Sequence, residues 1–272
     1  MRLFLMAVPA LSVCMLAPAQ EPAAHPAGTG AASLPDAPSP QPSASDDVTV
    51  RSTPRNLLHD QAAIWTSPAH ARTRDLKWLL PLAAASGAAF ATDRHTMTQV
   101  VSRDPSFNQA SLDTSNVLTG SLIAVPVAVF GFGCARQDEH ARQAGILTGE
   151  SMVDGIVVDE ALKLVFWRER PNVDDARGHF FQSNAGADSS FPSTHSVVAW
   201  SAASALAAEY PSHWTQFMLY AAATGVSLTR VMGQEHFPSD VLVGSSLGWL
   251  IGHNVVRHHH HKSREQGVAN RE

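Results

Sequence analysis

Three short stretches of this chain carry side chains suited to chemistry on an anion. The last of them is "TRVMGQEHFPSD" (229–240), in which five residues separate Arg230 from His236 and three separate His236 from Asp240. A carboxylate one helical turn from an imidazole can accept one ring N–H, fix the tautomer and leave the other nitrogen's lone pair free. That arrangement makes an imidazole nucleophilic, and Arg230 would hold the electrophile. The same residues also fit a plain N-terminal carboxylate at a helix dipole beside a surface histidine.

The stretch "KLVFWRERP" (163–171) sets Lys163 and Arg170 seven residues apart, two helical turns, and so on one face. Pro171 disfavours helical geometry at Arg170 and places that arginine at the helix end. A guanidinium fork beside an ammonium suits a phosphate. The bland alternative is a surface Asp159–Lys163 pair with Arg170 snorkelling. In "FPSTHSVVAW" (191–200), Pro192 and Ser193 read as a helix start with Ser193 as candidate N-cap. Free backbone N–H groups there can hold an anion. His195 can protonate a leaving group, or be a simple polar residue of the first turn. Together the stretches offer cations, a nucleophile and an acid, and phosphoryl transfer needs little else.

The elements that must position these groups are apolar segments at 77–92, 116–135, 144–169, 196–209, 214–232 and 239–257. They are rich in Ala, Leu, Val and Gly, too long for strands and free of hairpin signals, so the chain reads as all-α. Pro126 should kink the second segment. Gly233 should break the helix that Arg230 closes, and Pro238-Ser239 should begin the next, leaving His236 in the turn and Asp240 in a first helical turn. "NLLHDQAAIWTSP" (56–68) reads as a short amphipathic helix.

The 272 residues are 44% hydrophobic and 16% charged, with a formal net charge of −5. So few charges point to a compact helical protein or one that touches lipid. No basic tract is present of the kind nucleic acid attracts. Only 117–135 approaches the ~20 apolar residues of a membrane span, and Glu150, Asp154, Asp159 and Glu160 are costly at bilayer depth. A soluble bundle and an embedded one both fit. The reading favours one peripheral to, or partly within, the membrane.

Residues 1–19 read as an export signal, with Arg2, the apolar run Leu3 to Leu16 and the small-residue site Ala17-Pro18-Ala19. Its cleavage would leave Cys134 as a buried filler with no internal disulfide partner. Residues 20–55, rich in Pro, Ala, Ser and Gly, read as a disordered linker, and 258–272 as a polar, solvated His-rich tail.

These residues resemble the type 2 phosphatidic acid phosphatase (PAP2) superfamily, which also holds bacterial acid phosphatases and vanadium haloperoxidases. That family's signature, K-x6-RP, PSGH and SR-x5-H-x3-D, is matched by Lys163…Arg170-Pro171, Pro192-Ser193-Thr194-His195 and Thr229-Arg230…His236…Asp240, within 145–256. Thr194 stands where the family has glycine and Thr229 where it has serine. The resemblance implies a helical bundle of about six helices, here 56–257, around a phosphate pocket. It implies His236 as the nucleophile that becomes phosphohistidine, Asp240 as its orienting carboxylate and His195 as general acid. Lys163, Arg170, Arg230, Ser193 and Thr194 would bind the phosphate. It implies no metal and no cofactor for phosphatases, and vanadate only for a haloperoxidase. The expected protein is an exported phosphatase of the periplasm or cell envelope acting on a phosphorylated lipid of the phosphatidate or polyprenyl diphosphate type. A broad-specificity acid phosphatase, a haloperoxidase and a catalytically decayed envelope protein are the alternatives.

Overall fold

A computed structural model of the chain describes residues 48–70, 72–182 and 188–269; the export signal and most of the linker lie outside them. The described residues form seven α-helices and no strand. These are α1 (Thr53–Thr66), α2 (Leu76–His95), α3 (Pro105–Arg136), α4 (Glu139–Phe166), α5 (Thr194–Glu209), α6 (His213–Met232) and α7 (Pro238–Ala269). The helix ends follow local chemistry. Asp104 caps α3, its carboxylate accepting from Phe107 N at 2.9 Å with Pro105 in the first turn. Asp138 caps α4 in the same way, accepting from Ala141 N at 3.1 Å.

Alanine-rich α5 is the centre of the bundle and packs against α4, α6 and α7. Its partner α7 comes unusually close, because a Cβ at Gly248 would stand 2.3 Å from Val197 O and one at Gly252 2.2 Å from Ser204 Oγ. One apolar core joins Leu122, Met152, Val198, Ala202 and Val226 of α3 to α6. A second joins Leu147, Val158, Ala205, Ile251 and Val255.

Three expectations about the elements need correction. First, α4 ends at Phe166 rather than near 169. Trp167 takes the left-handed conformation (φ 40°) and its N–H caps onto Lys163 O at 3.1 Å, so Arg170 lies in the following loop, not on a helical face with Lys163. Second, the polar C-terminal stretch is no loose tail: α7 continues to Ala269, with His259 Nε2 3.3 Å from Asp60 and His260 Nε2 2.8 Å from Glu209. Third, Cys134 is partly exposed rather than a buried filler. Pro126 lies inside α3, which runs through it.

Candidate active site

The site forms where the C-terminal ends of α4 and α6 meet the N-terminal ends of α5 and α7. Lys163 stands in the last turn of α4 and is buried, 3.1 Å from Asp159 Oδ2. Asp159 is fully buried (0% exposed), so this pair belongs to the interior and not to the surface. Thr194, the first residue of α5, bridges them. Its hydroxyl donates to Asp159 Oδ2 at 2.7 Å and meets Lys163 Nζ. Ser193 is the N-cap by backbone conformation, yet its hydroxyl makes no capping bond and accepts from Ser196 Oγ at 3.2 Å.

Arg230 lies in the last turn of α6, buried, with Gly233 just past the helix end. Its Nε has no partner. A buried donor left unmatched is costly, and a phosphoryl oxygen would satisfy it. Arg170 reaches the same region from its loop, donating to Asp188 Oδ1 at 2.7 Å. Between the two arginines stands the carboxylate of Glu235, which contacts Arg170 Nη1 and lies 3.4 Å from Arg230 Nη2. An incoming phosphate must share or displace that acid.

His236 is buried in the turn before α7. Its Nδ1 lies 2.7 Å from the carbonyl oxygen of Ser190. A carbonyl can only accept, so this bond puts the proton on Nδ1 and leaves Nε2 with its lone pair. The ring's orienter is therefore a backbone carbonyl. Asp240 Oδ2 stands 3.9 Å from Nδ1, beyond hydrogen-bond range. It acts one step removed, accepting from Ser190 Oγ at 2.5 Å and from Phe237 N at 2.8 Å. Asp240 thus fixes the residue whose carbonyl fixes the ring.

Behind Asp240 lies a group the sequence reading missed. Arg168, buried in the loop after α4, donates to Asp240 Oδ1 at 2.5 Å, Asp93 Oδ2 at 2.8 Å and Ser239 Oγ at 2.8 Å. Its guanidinium carbon sits 5.1, 4.8 and 4.1 Å from the ring centroids of Phe90, Phe180 and Phe237. Phe180 thus belongs to an aromatic cage around the guanidinium.

The convergence of the three stretches is visible in the electrostatics. Burial and the charges of Arg230, Lys163 and Arg170 push the His195 imidazole down to about 3. Burial, Arg230 and Arg170 hold His236 well below the ordinary imidazole range, against the Ser190 bond. Burial and Arg170 lower Arg230 to about 10. Burial lifts Asp240 to about 6 against the pull of Arg168. The arrangement is a neutral imidazole with a free nitrogen and a second imidazole, both facing three cations.

Residues 144–264 match the PAP2 superfamily. The matched segment is a little under half of the chain. It contains every site residue expected from the sequence. The chain is 26% identical over 179 residues to a lipid A 1-phosphatase of Porphyromonas gingivalis, covering 65% of this chain and 37% of that protein. It therefore spans little more than a third of the length of that relative. It is also similar, at 22% identity with a TM-score of 0.44, to the crystal structure of a transmembrane PAP2 type phosphatidylglycerolphosphate phosphatase from Bacillus subtilis, covering 75% of this chain and 92% of that one.

Proposed function

We propose that this chain is a PAP2-type phosphatase that releases phosphate from lipid monoesters or diphosphates, of the phosphatidate or polyprenyl diphosphate type, through a phosphohistidine on His236. The observation that carries the reading is the meeting of Lys163, Arg170 and Arg230 around two imidazoles, one with its Nδ1 on a carbonyl and its Nε2 free to attack.

In the first half-reaction, His236 Nε2 forms a bond to phosphorus as the bond from phosphorus to the leaving oxygen breaks. His195 gives that oxygen its proton. In the second half-reaction, His195 takes a proton from water, the hydroxide attacks phosphorus, and the phosphorus–nitrogen bond breaks. The three cations neutralise charge on the non-bridging oxygens throughout, the role metals serve in other phosphoryl transfers. On this reading no metal takes part in the reaction.

A lipid substrate is supported by the name of the lipid A phosphatase relative and by the surface. Trp65, Trp78, Leu80, Val117, Trp214 and Phe217 all expose half or more of their area. Large apolar exposure of this kind marks contact with partners or membranes. Among the described residues α3 alone is long and apolar enough to cross a membrane. We infer a membrane-associated enzyme, exported to the cell envelope.

The test is phosphate release from phosphatidate vesicles, a polyprenyl diphosphate and a water-soluble aryl phosphate, by the full chain and by His236→Ala. Activity on the lipids that vanishes in the variant supports the proposal. Equal efficiency on all three would make this a broad-specificity acid phosphatase. Equal background in both proteins would remove the enzymatic reading.

A further inference from the structure

Away from the phosphate site, three helices bring together a second constellation that the proposed reaction does not use. Asp60 of α1, Glu150 of α4 and His259 of α7 offer ligand atoms that all lie within 4.8 Å of one another. His259 Nε2 is 3.3 Å from Asp60 Oδ2 and 3.9 Å from Glu150 Oε2. Glu150 precedes Lys163 by thirteen residues on the same helix. At about 1.5 Å per residue that is roughly 20 Å along the bundle, so the two sites are separate.

The cluster is interior. Asp60 and Glu150 are buried and the His259 side chain is 10% exposed. One turn along α4 stands Asp154, fully buried (0% exposed), whose Oδ1 accepts from Gln61 Nε2 at 2.8 Å and whose Oδ2 has no partner. Gln61 is the chain neighbour of Asp60 and Glu150 lies one turn before Asp154 on α4, which sets that carboxylate beside the cluster. Carboxylates drawn out of water are stabilised by a cation placed among them. The His259 ring reaches Asp60 and Glu150, and the Asp154 oxygen is left unmatched.

Carboxylate oxygens with one imidazole nitrogen form the mixed donor set of divalent transition ions. The donors are themselves held in place, as such ligands require. Asn56 Nδ2 donates to Glu150 Oε1 at 3.3 Å, and Gln61 holds Asp154. A cleft of about 660 Å³, walled in part by Asp60, Ile64, Asn254 and His258, opens beside the cluster and supplies an entry path.

We propose that Asp60, Glu150 and His259, with Asp154 beside them, bind a divalent transition ion, Mn²⁺ or Zn²⁺, that ties α1 and the C-terminal half of α7 to α4. The ion is structural, and the inference does not rest on the phosphatase reading.

The test uses the full chain after chelation, titrated with Mn²⁺ while the electron paramagnetic resonance of the free ion is followed, and with Zn²⁺ by calorimetry. One ion per chain is expected. The isosteric variants Asp60→Asn and Glu150→Gln should each weaken binding by ~100-fold or more, since even residues that only support ligands cost 10–100-fold. His236→Ala should bind as wild type does. Bound Mn²⁺ should show coupling to one imidazole nitrogen, lost in His259→Gln. Should the variants fail to fold, the wild-type protein still decides: no saturable binding, or a bound ion without nitrogen coupling, overturns the proposal. So does unchanged affinity in both isosteric variants, or loss of binding in His236→Ala.

Discussion

Replacing Arg168 with methionine removes a guanidinium that touches no expected substrate, yet the effect should be large. Methionine approximates the volume but leaves Asp93 and Asp240, both buried, without the cation that bridges them at 2.8 and 2.5 Å. Breaking a buried ion pair from one side costs about 3–5 kcal/mol. At about 2–4 °C per kcal/mol for a chain of this size, the melting midpoint should fall by roughly 6–20 °C. Activity should fall as well, because Asp240 holds Ser190, and Ser190 holds the His236 ring. A displacement near 1 Å at a reacting atom can cost on the order of 100-fold in rate. The assay pairs thermal unfolding by circular dichroism with turnover measured well below the variant's own midpoint. Adding Asp93→Asn should return part of the lost stability while leaving turnover low, since Asp240 remains unpaired. A single variant with an unchanged midpoint and wild-type turnover would refute the inference that Arg168 supports the nucleophile through Asp240.

Two further predictions follow from the same geometry. His195 is pushed down to about 3 in the free protein, so it is protonated only at the acid end, and kcat/KM should fall as pH rises through the acid range. A bound phosphate offsets the cations and raises His195, so kcat should persist to higher pH than kcat/KM; pH profiles that are flat, or in the reverse order, contradict this. Gly248→Ala should destabilise by about 1–3 kcal/mol, because the new Cβ meets Val197 O at 2.3 Å and α5 must move from α7; an unchanged denaturation midpoint would show that the helices are not held so closely.

The helices were legible in the sequence because their apolar runs are long and their stops are marked by Gly233, Pro238 and Ser193. Lys163, Thr194, Arg230 and Asp240 stand in the end turns of helices, as their spacing from Gly and Pro suggests, whereas Arg170 and His236 come from loops. The ring's orienter was not. Ser190 acts through its backbone carbonyl, and a carbonyl leaves no trace in residue type. Arg168 sits within a stretch that was read, but its partners Asp93 and Asp240 are 75 and 72 residues away, a separation that spacing arguments do not reach. Glu235 was passed over for a similar reason, since its contact with Arg170 comes from a loop whose path α4 alone does not fix. The apolar period stops near 257, yet α7 continues, because His259 and His260 find Asp60 and Glu209 on other helices. In each case a long-range partner decided what local pattern left open.

The central claim is a covalent bond from His236 to phosphorus. Incubating the full chain with a ³²P-labelled lipid phosphate, quenching in alkali within the first turnover and mapping the labelled peptide tests it most directly. Label on the peptide that carries His236, absent in His236→Ala, is the predicted result. Turnover at wild-type rate with no label on that histidine, or label that survives in His236→Ala, would contradict the account.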